Sequence, residues 1–143
     1  MRENVNILGV EFSKLTLNQT IDLIEEKVKK TSNKTVHIIT ANPEIVIQIQ
    51  KDHEFKKISL EADLITPDGV GIVWASRLKR NPVPERVTGY DLLLESLERG
   101  NENGWSFYFL GSEEYVNKKM KDYVINNYPN VKVLGRHNGF FTR

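Results

Sequence analysis

Three short polar turns interrupt the apolar runs of this chain: Thr40-Ala41-Asn42-Pro43-Glu44, Thr66-Pro67-Asp68-Gly69-Val70-Gly71 and Leu110-Gly111-Ser112. Each follows a strand-like segment and opens onto a helical one. Free backbone N–H groups and the positive end of a helix dipole at such a junction stabilise an anion, for example a diphosphate. In open parallel sheets ligands bind beyond the carboxyl ends of the strands, which is where these turns fall. A local reading competes, in which Asn42 and Ser112 are only helix caps and Asp68 is a turn carboxylate bonded to its own backbone. Against it stands the gathering of polar side chains after successive strands, expected to be spatial neighbours, in stretches that are otherwise apolar.

Other side chains offer the same chemistry. Arg86 offers the planar fork of donors that matches a phosphate, or alternatively forms a structural ion pair with Glu85 or Asp91. A divalent ion would need clustered carboxylates, and the two groupings present, Asp52-His53-Glu54 and Glu61-Ala62-Asp63, fall on expected helix or helix-end surface, so no metal is predicted. Of the three histidines, His37 reads as core or interstrand, His53 as helix surface and His137 as part of the Gly-rich end segment; none has a partner at ligand spacing. Trp74, Trp105, Phe107, Tyr108 and Phe109 read as core fillers, with a ring stacked on a sugar or base as the alternative. Gly69-Val70-Gly71 begins a dinucleotide-type G-x-G string, but Trp74 stands where the third glycine belongs.

The elements that must position these turns follow from hydrophobic periodicity. Val5 to Phe12, with Gly9 inside, predicts an edge strand or small hairpin. Leu17, Ile21, Ile24 and Val28 recur at helical spacing, and Thr16 with Gln19 makes a capping box. Val36 to Thr40 reads as a strand buried on both faces. A helix follows with Asn42 as N-cap and Pro43 in the first turn, running to about Glu61 with a break near Asp52. Ala62 to Thr66 is the next strand and Val70 to Leu78 the next helix. Asn81 to Val87 is a loop, after which Thr88 caps a helix packing Leu93, Leu94 and Leu97 and ending near Gly100 and Gly104. Trp105 to Leu110 is a strand, Val116, Met120 and Val124 mark the inner face of a helix, and Val131 to Leu134 is a last strand. This alternation predicts an α/β fold, a Rossmann-like parallel sheet with helices on both faces, arranged as a single domain over residues 1–143.

Composition narrows the partners. With 20 Lys+Arg against 19 Asp+Glu the net charge is +1, which argues against nucleic acid. The densest basic stretches, Lys27 to Lys30 and Lys118 to Lys121, fall on amphipathic helices as solvated faces. The absence of cysteine excludes disulfides, thiolate metal sites and Cys nucleophiles, and fits a cytoplasmic setting. No apolar run approaches the roughly 20 residues of a membrane span.

Taken together, Thr40 to Glu44, Thr66 to Gly71, Glu85-Arg86-Val87-Thr88-Gly89-Tyr90-Asp91-Leu92, Phe109-Leu110-Gly111, Tyr128-Pro129, Gly135 and Gly139-Phe140-Phe141 resemble the WecG/TagA/CpsF glycosyltransferases in order and spacing. The resemblance implies an inverting, UDP-sugar-dependent transferase that moves N-acetylmannosamine to the 4-hydroxyl of a polyprenyl-diphosphate-linked N-acetylglucosamine, an early step of teichoic acid linkage-unit synthesis. It puts the catalytic base on Asp68, a carboxylate placed to take the acceptor proton. Arg86 would stabilise the departing UDP, Thr40, Asn42 and Gly69 would line the donor pocket, and Gly111 would let backbone approach the nucleotide. No cofactor is expected.

Members of that family continue past the Gly-Phe-Phe segment with a strand, a Pro-Lys-Gln-Glu stretch and a C-terminal appendage linked to membrane engagement. A chain ending at Arg143 is therefore expected to be a truncated form with weakened activity, its peripheral contact with the inner face of the cell membrane made by the missing segment. Apolar surface left uncovered predicts a homo-oligomer. The competing functions are a non-catalytic nucleotide-binding or assembly domain and an NAD-dependent oxidoreductase.

Overall fold

The computed structural model describes residues 3–30 and 34–142. It has the expected α/β architecture, with two parallel strand pairs and one antiparallel hairpin among the described residues. Its contacts gather into two compact units, residues 1–92 and 93–143.

In the first unit, β1 (Asn4–Ile7) and β2 (Val10–Ser13) form the hairpin foreseen at Val5 to Phe12. Alternation drives it: Val5, Ile7, Val10 and Phe12 are buried while Asn4, Asn6 and Glu11 face out. Leu8 (φ 51°) and Gly9 (φ 81°) both adopt left-handed backbone, as a two-residue hairpin turn requires, and Asn6 Oδ1 accepts the Gly9 N–H at 3.0 Å. The helix α1 (Leu17–Lys29) starts at Thr16 with the predicted capping box complete. Its outer turns carry Lys29 and Lys30 paired with Glu25 and Glu26, the solvated basic face foreseen for this stretch.

The parallel pair is β3 (Ile38–Ala41) with β4 (Leu64–Pro67), in register Thr40 opposite Thr66 and Ala41 opposite Pro67. Between them run α2 (Pro43–Lys51) and α3 (His53–Glu61), divided at Asp52, whose side chain accepts the Phe55 N–H at 2.9 Å. The strand starts later than the apolar run. His37 precedes the pairing, its carbonyl accepts from Asp63 and Leu64, and its side chain is exposed rather than core or interstrand as expected. After β4 comes α4 (Val70–Leu78) and then a loop to Thr88, which caps α5 (Gly89–Asn103). Phe12, Ala41, Val46, Ile49, Ile65, Ile72 and Val83 belong to the main core of this unit, and Ile21, Val87 and Leu92 to a smaller one. Burying a side chain such as Phe12 or Ile21 contributes about 1.5–3 kcal/mol.

In the second unit the later turns of α5 lead to β5 (Ser106–Leu110), α6 (Glu114–Asn127) and β6 (Lys132–His137), a strand–helix–parallel strand arrangement. Leu97, Phe109, Val124 and Val131 form its core. A register irregularity at Phe107 and Tyr108 sets Tyr108 opposite Gly135, where any Cβ would lie 2.8 Å from the Tyr108 ring.

Three further expectations about side-chain placement are overturned. Val116 is exposed, and the inner position one residue on is taken by Asn117, because polar carbonyls at the strand ends lie over that turn of the helix. Trp74 is exposed, since α4 turns Ile72 and Ser76 to the core and Trp74 away from it. Tyr108 is exposed as well, on the outward side of a strand whose next residue, Phe109, faces inward, while Trp105 is buried as foreseen.

Candidate active site at the end of the first parallel pair

The carboxyl ends of β3 and β4 bring three helix N-termini together within the first unit. A Cβ on Gly71 would stand 2.7 Å from Pro43 Cγ, and one on Gly69 3.6 Å from Pro43 Cδ, so the starts of α2 and α4 meet in contact that glycine alone permits. A Cβ on Gly89 would lie 3.1 Å from Thr40 Oγ1, which sets the first turn of α5 against the end of β3. Backbone bonds tie the rim: Asp68 N–H to the Ala41 carbonyl at 3.0 Å, and Val87 N–H to the Pro67 carbonyl at 2.8 Å. Buried Thr66 adds its hydroxyl to the Val87 carbonyl at 3.1 Å. Gly69, at φ 105°, sits in backbone that a side chain would strain.

The predicted residues divide by how their polar atoms are used. Asn42 does act as a cap, its Oδ1 accepting the Ile45 N–H at 2.9 Å, which leaves the amide donors of the same side chain available. Asp68 is half-buried and has no side-chain partner among the described residues, so it is not the self-bonded turn carboxylate of the local reading. Thr40 is likewise half-buried without a side-chain bond there. The Gly69 cap gives α4 no side-chain acceptor, which leaves its first-turn N–H groups to meet an anion. Arg86 is exposed one residue before the bonded Val87, and neither predicted ion-pair partner holds it. Glu85 instead accepts the Leu17 N–H at 2.6 Å, and Asp91 accepts from Thr88 Oγ1 at 2.7 Å.

Thus Thr40, Asn42, Asp68 and Gly69 share one rim, with the Arg86 backbone joined to it through Val87. Gly111 belongs to the second unit, in a turn with φ 129° followed by Ser112 at φ 62°. Ser112 is no cap: Glu113 holds that position. The two acidic groupings weighed as metal ligands have other engagements, Asp52 as the α3 cap and Asp63 accepting the His37 N–H at 3.0 Å. Three concavities of the first unit lie away from the rim; the one between the hairpin and α3, of about 120 Å³, is lined by Val10, Ile49, Ser59 and Leu64 among others.

Sequence reasoning missed two features. Gly89 matters as the contact that seats α5 on Thr40; its place directly after a capping threonine was the available signal. In the second unit Asn117, 3% exposed, donates its amide to the carbonyls of Gly111 (2.9 Å), His137 (3.0 Å) and Phe109 (3.4 Å), binding the ends of β5 and β6 together. Beside it Arg136 donates to Glu114 at 2.6 Å, and Asn138 to the same carboxylate at 3.2 Å. The Arg136 and Asn138 hydrogen bonds hold the Glu114 carboxyl down at about 2. An asparagine among lysines on a helix gave no signal, because its partners are backbone atoms distant in sequence.

Residues 5–143 match the family model described as Glycosyl transferase WecG/TagA/CpsF family, and the chain belongs to that family. It is 31% identical over 108 residues to an N-acetylglucosaminyldiphosphoundecaprenol N-acetyl-beta-D-mannosaminyltransferase of Bacillus spizizenii, an alignment covering 76% of this chain and 42% of the relative. A protein of the same name from Staphylococcus aureus strain MRSA252 is 30% identical over 136 residues, covering 95% of this chain and 53% of the relative. The chain spans about half the length of the curated relatives it matches.

Proposed function

We propose that this chain carries the donor site and catalytic base of an inverting glycosyltransferase that moves N-acetylmannosamine from UDP to the 4-hydroxyl of a polyprenyl-diphosphate-linked N-acetylglucosamine, at the inner face of the cell membrane. One observation carries the reading: a carboxylate without a partner among the described residues, Asp68, stands next to the uncapped N-terminus of α4 and shares a rim with Thr40 and Asn42. The relatives' names supply the sugar and the acceptor.

The chemistry follows from these positions. Asp68 takes the proton of the acceptor hydroxyl as its oxygen attacks the anomeric carbon, and the bond from that carbon to the UDP oxygen breaks with inversion in a single displacement. The electron pair leaves on the diphosphate. In this reading the first-turn N–H groups of α4, whose start is fixed by the Gly71–Pro43 contact, stabilise that growing charge without reorganising, and the Arg86 guanidinium adds to them. Thr40 and the Asn42 amide orient the donor sugar.

The test is Asp68→Asn. Calorimetry should show UDP affinity nearly unchanged, while transfer from UDP-N-acetylmannosamine to a short-chain lipid diphosphate N-acetylglucosamine falls about 100-fold or more, the scale of a lost general base. Undiminished transfer would remove Asp68 from the mechanism. A wild-type protein that bound UDP but transferred nothing would favour the nucleotide-binding or assembly reading.

A further inference from the structure

The helix that begins at the catalytic turn has an outer face that its own unit leaves uncovered. Ile72 and Ser76 of α4 are buried and Val73 and Ala75 pack on the core, so the helix is firmly seated on one side. On the other, Val70, Trp74 and Leu78 are 59%, 63% and 82% exposed. Their four-residue spacing lines them up as one stripe. Stripes of large apolar side chains on a fixed helix mark a place where something docks.

Charge identifies the kind of partner. Between Asp68 and Glu85 the sequence contains Arg77, Lys79 and Arg80 and no carboxylate. All three cations are exposed, and Lys79 is held by donating to the Asn6 carbonyl at 2.9 Å. Glu3, which lines a concavity with Arg77, is paired with Lys14 at 3.2 Å. Pairing of the face with its own copy would set these cations against one another with no acid on α4 to neutralise them. Tryptophan and leucine beside arginine and lysine, without acids, are what the boundary of an anionic bilayer accepts: the indole and aliphatic groups enter the headgroup layer and the cations meet lipid phosphates.

We propose that the outer face of α4, Val70, Trp74 and Leu78 with Arg77 and Arg80, is a docking surface for an anionic lipid bilayer. The proposal rests on the transferase reading in one respect: a lipid-linked acceptor must reach Asp68, and α4 runs from that residue's turn for about 12 Å. The bilayer and the reacting carboxylate are then served by two ends of one rigid element.

The chain has two tryptophans, Trp74 exposed and Trp105 buried, so indole fluorescence reports on this face directly. The full chain should float with phosphatidylcholine vesicles containing phosphatidylglycerol and not with phosphatidylcholine alone. Its emission should shift to the blue and be quenched by brominated lipid, and Trp74→Phe should abolish the quenching. Leu78→Glu, and separately the pair Arg77→Ala with Arg80→Ala, should each weaken vesicle binding by roughly 10-fold or more, with melting curves unchanged because these positions are exposed. Absence of binding to the anionic vesicles, binding without quenching of Trp74, or binding indifferent to both variants would overturn the proposal. So would a dimer, seen by light scattering, that Leu78→Glu disperses in a chain that ignores vesicles; that result gives the face to a second copy. UDP calorimetry on the same samples separates the two ideas: loss of UDP binding with vesicle binding intact strikes the donor-site reading and not this one.

Discussion

At the carboxyl end of β3–β4 the polar side chains of Thr40 and Asp68 have no bonding partner among the described residues, whereas at the carboxyl end of β5–β6 Asn117, Glu114, Arg136 and Asn138 hold one another and the strand carbonyls. Both ends lead from a parallel pair through a glycine-bearing turn into a helix. Both helices, α4 and α6, lack a side-chain cap bond. The difference lies in what the polar atoms are left to do. Burying hydrogen-bonding groups without partners is costly, so a rim that keeps them half-exposed and unengaged leaves them to solvent and open to a ligand. The second end satisfies its own groups and works as a clasp.

Substitutions can break or sharpen that contrast. Asp68→Asn carries the largest effect, on turnover, and should leave thermal stability unchanged; a marked fall in melting temperature would make Asp68 a structural residue and erase the distinction. Next, Asn117→Ala removes the amide that satisfies three carbonyls and should cost about 2–3 kcal/mol in denaturant unfolding, with melting lowered before any effect on UDP affinity is seen. An unchanged midpoint would show that the clasp is dispensable. Gly71→Ala forces a methyl into the Pro43 ring and should weaken UDP binding by roughly 1–2 kcal/mol, as displaced backbone N–H groups lose the diphosphate. Arg86→Ala should weaken it by roughly 1.4 kcal/mol, or tenfold, more at low salt than at high.

The smallest effect concerns pH. The Glu114 carboxyl titrates near 2 in the folded chain against an ordinary 4.5, so its ion pair contributes fully above about 4.5 and is lost as pH falls from there toward 2. Melting temperatures of the wild type and Glu114→Gln should therefore differ at neutral pH and converge in acid. A gap that persists at pH 2 would show that the clasp does not depend on the charge of Glu114.

Much of this molecule was legible in its residues because the forces involved are local. Thr16 with Gln19, Asn42 before Pro43, the interruption at Asp52 and the cap at Thr88 each concern atoms within one helical turn, and each is found as read. The candidate rim was legible too, as polar turns after apolar strands and as a family resemblance that the comparison with known proteins upholds. Misreadings fell where a side chain's surroundings come from elsewhere in the chain. Periodicity sent Val116 inward and gave Asn117 no role, since no local pattern announces the Gly111 and His137 carbonyls that claim its amide. Trp74 reads as a core filler, and the packing of Ile72 and Ser76 turns it out.

Composition and spacing thus determined, without tertiary information, where helices and strands form, that they alternate into an α/β fold, and which turns carry polar groups at strand ends. Tertiary structure alone decided which of those groups find partners: Glu85 is drawn away from Arg86 to the start of α1, Asp68 is left open, and Asn117 is enclosed. A cap or a turn is fixed by neighbours a few bonds away, but whether a carboxylate is satisfied depends on donors brought from distant parts of the sequence, and only folding places them.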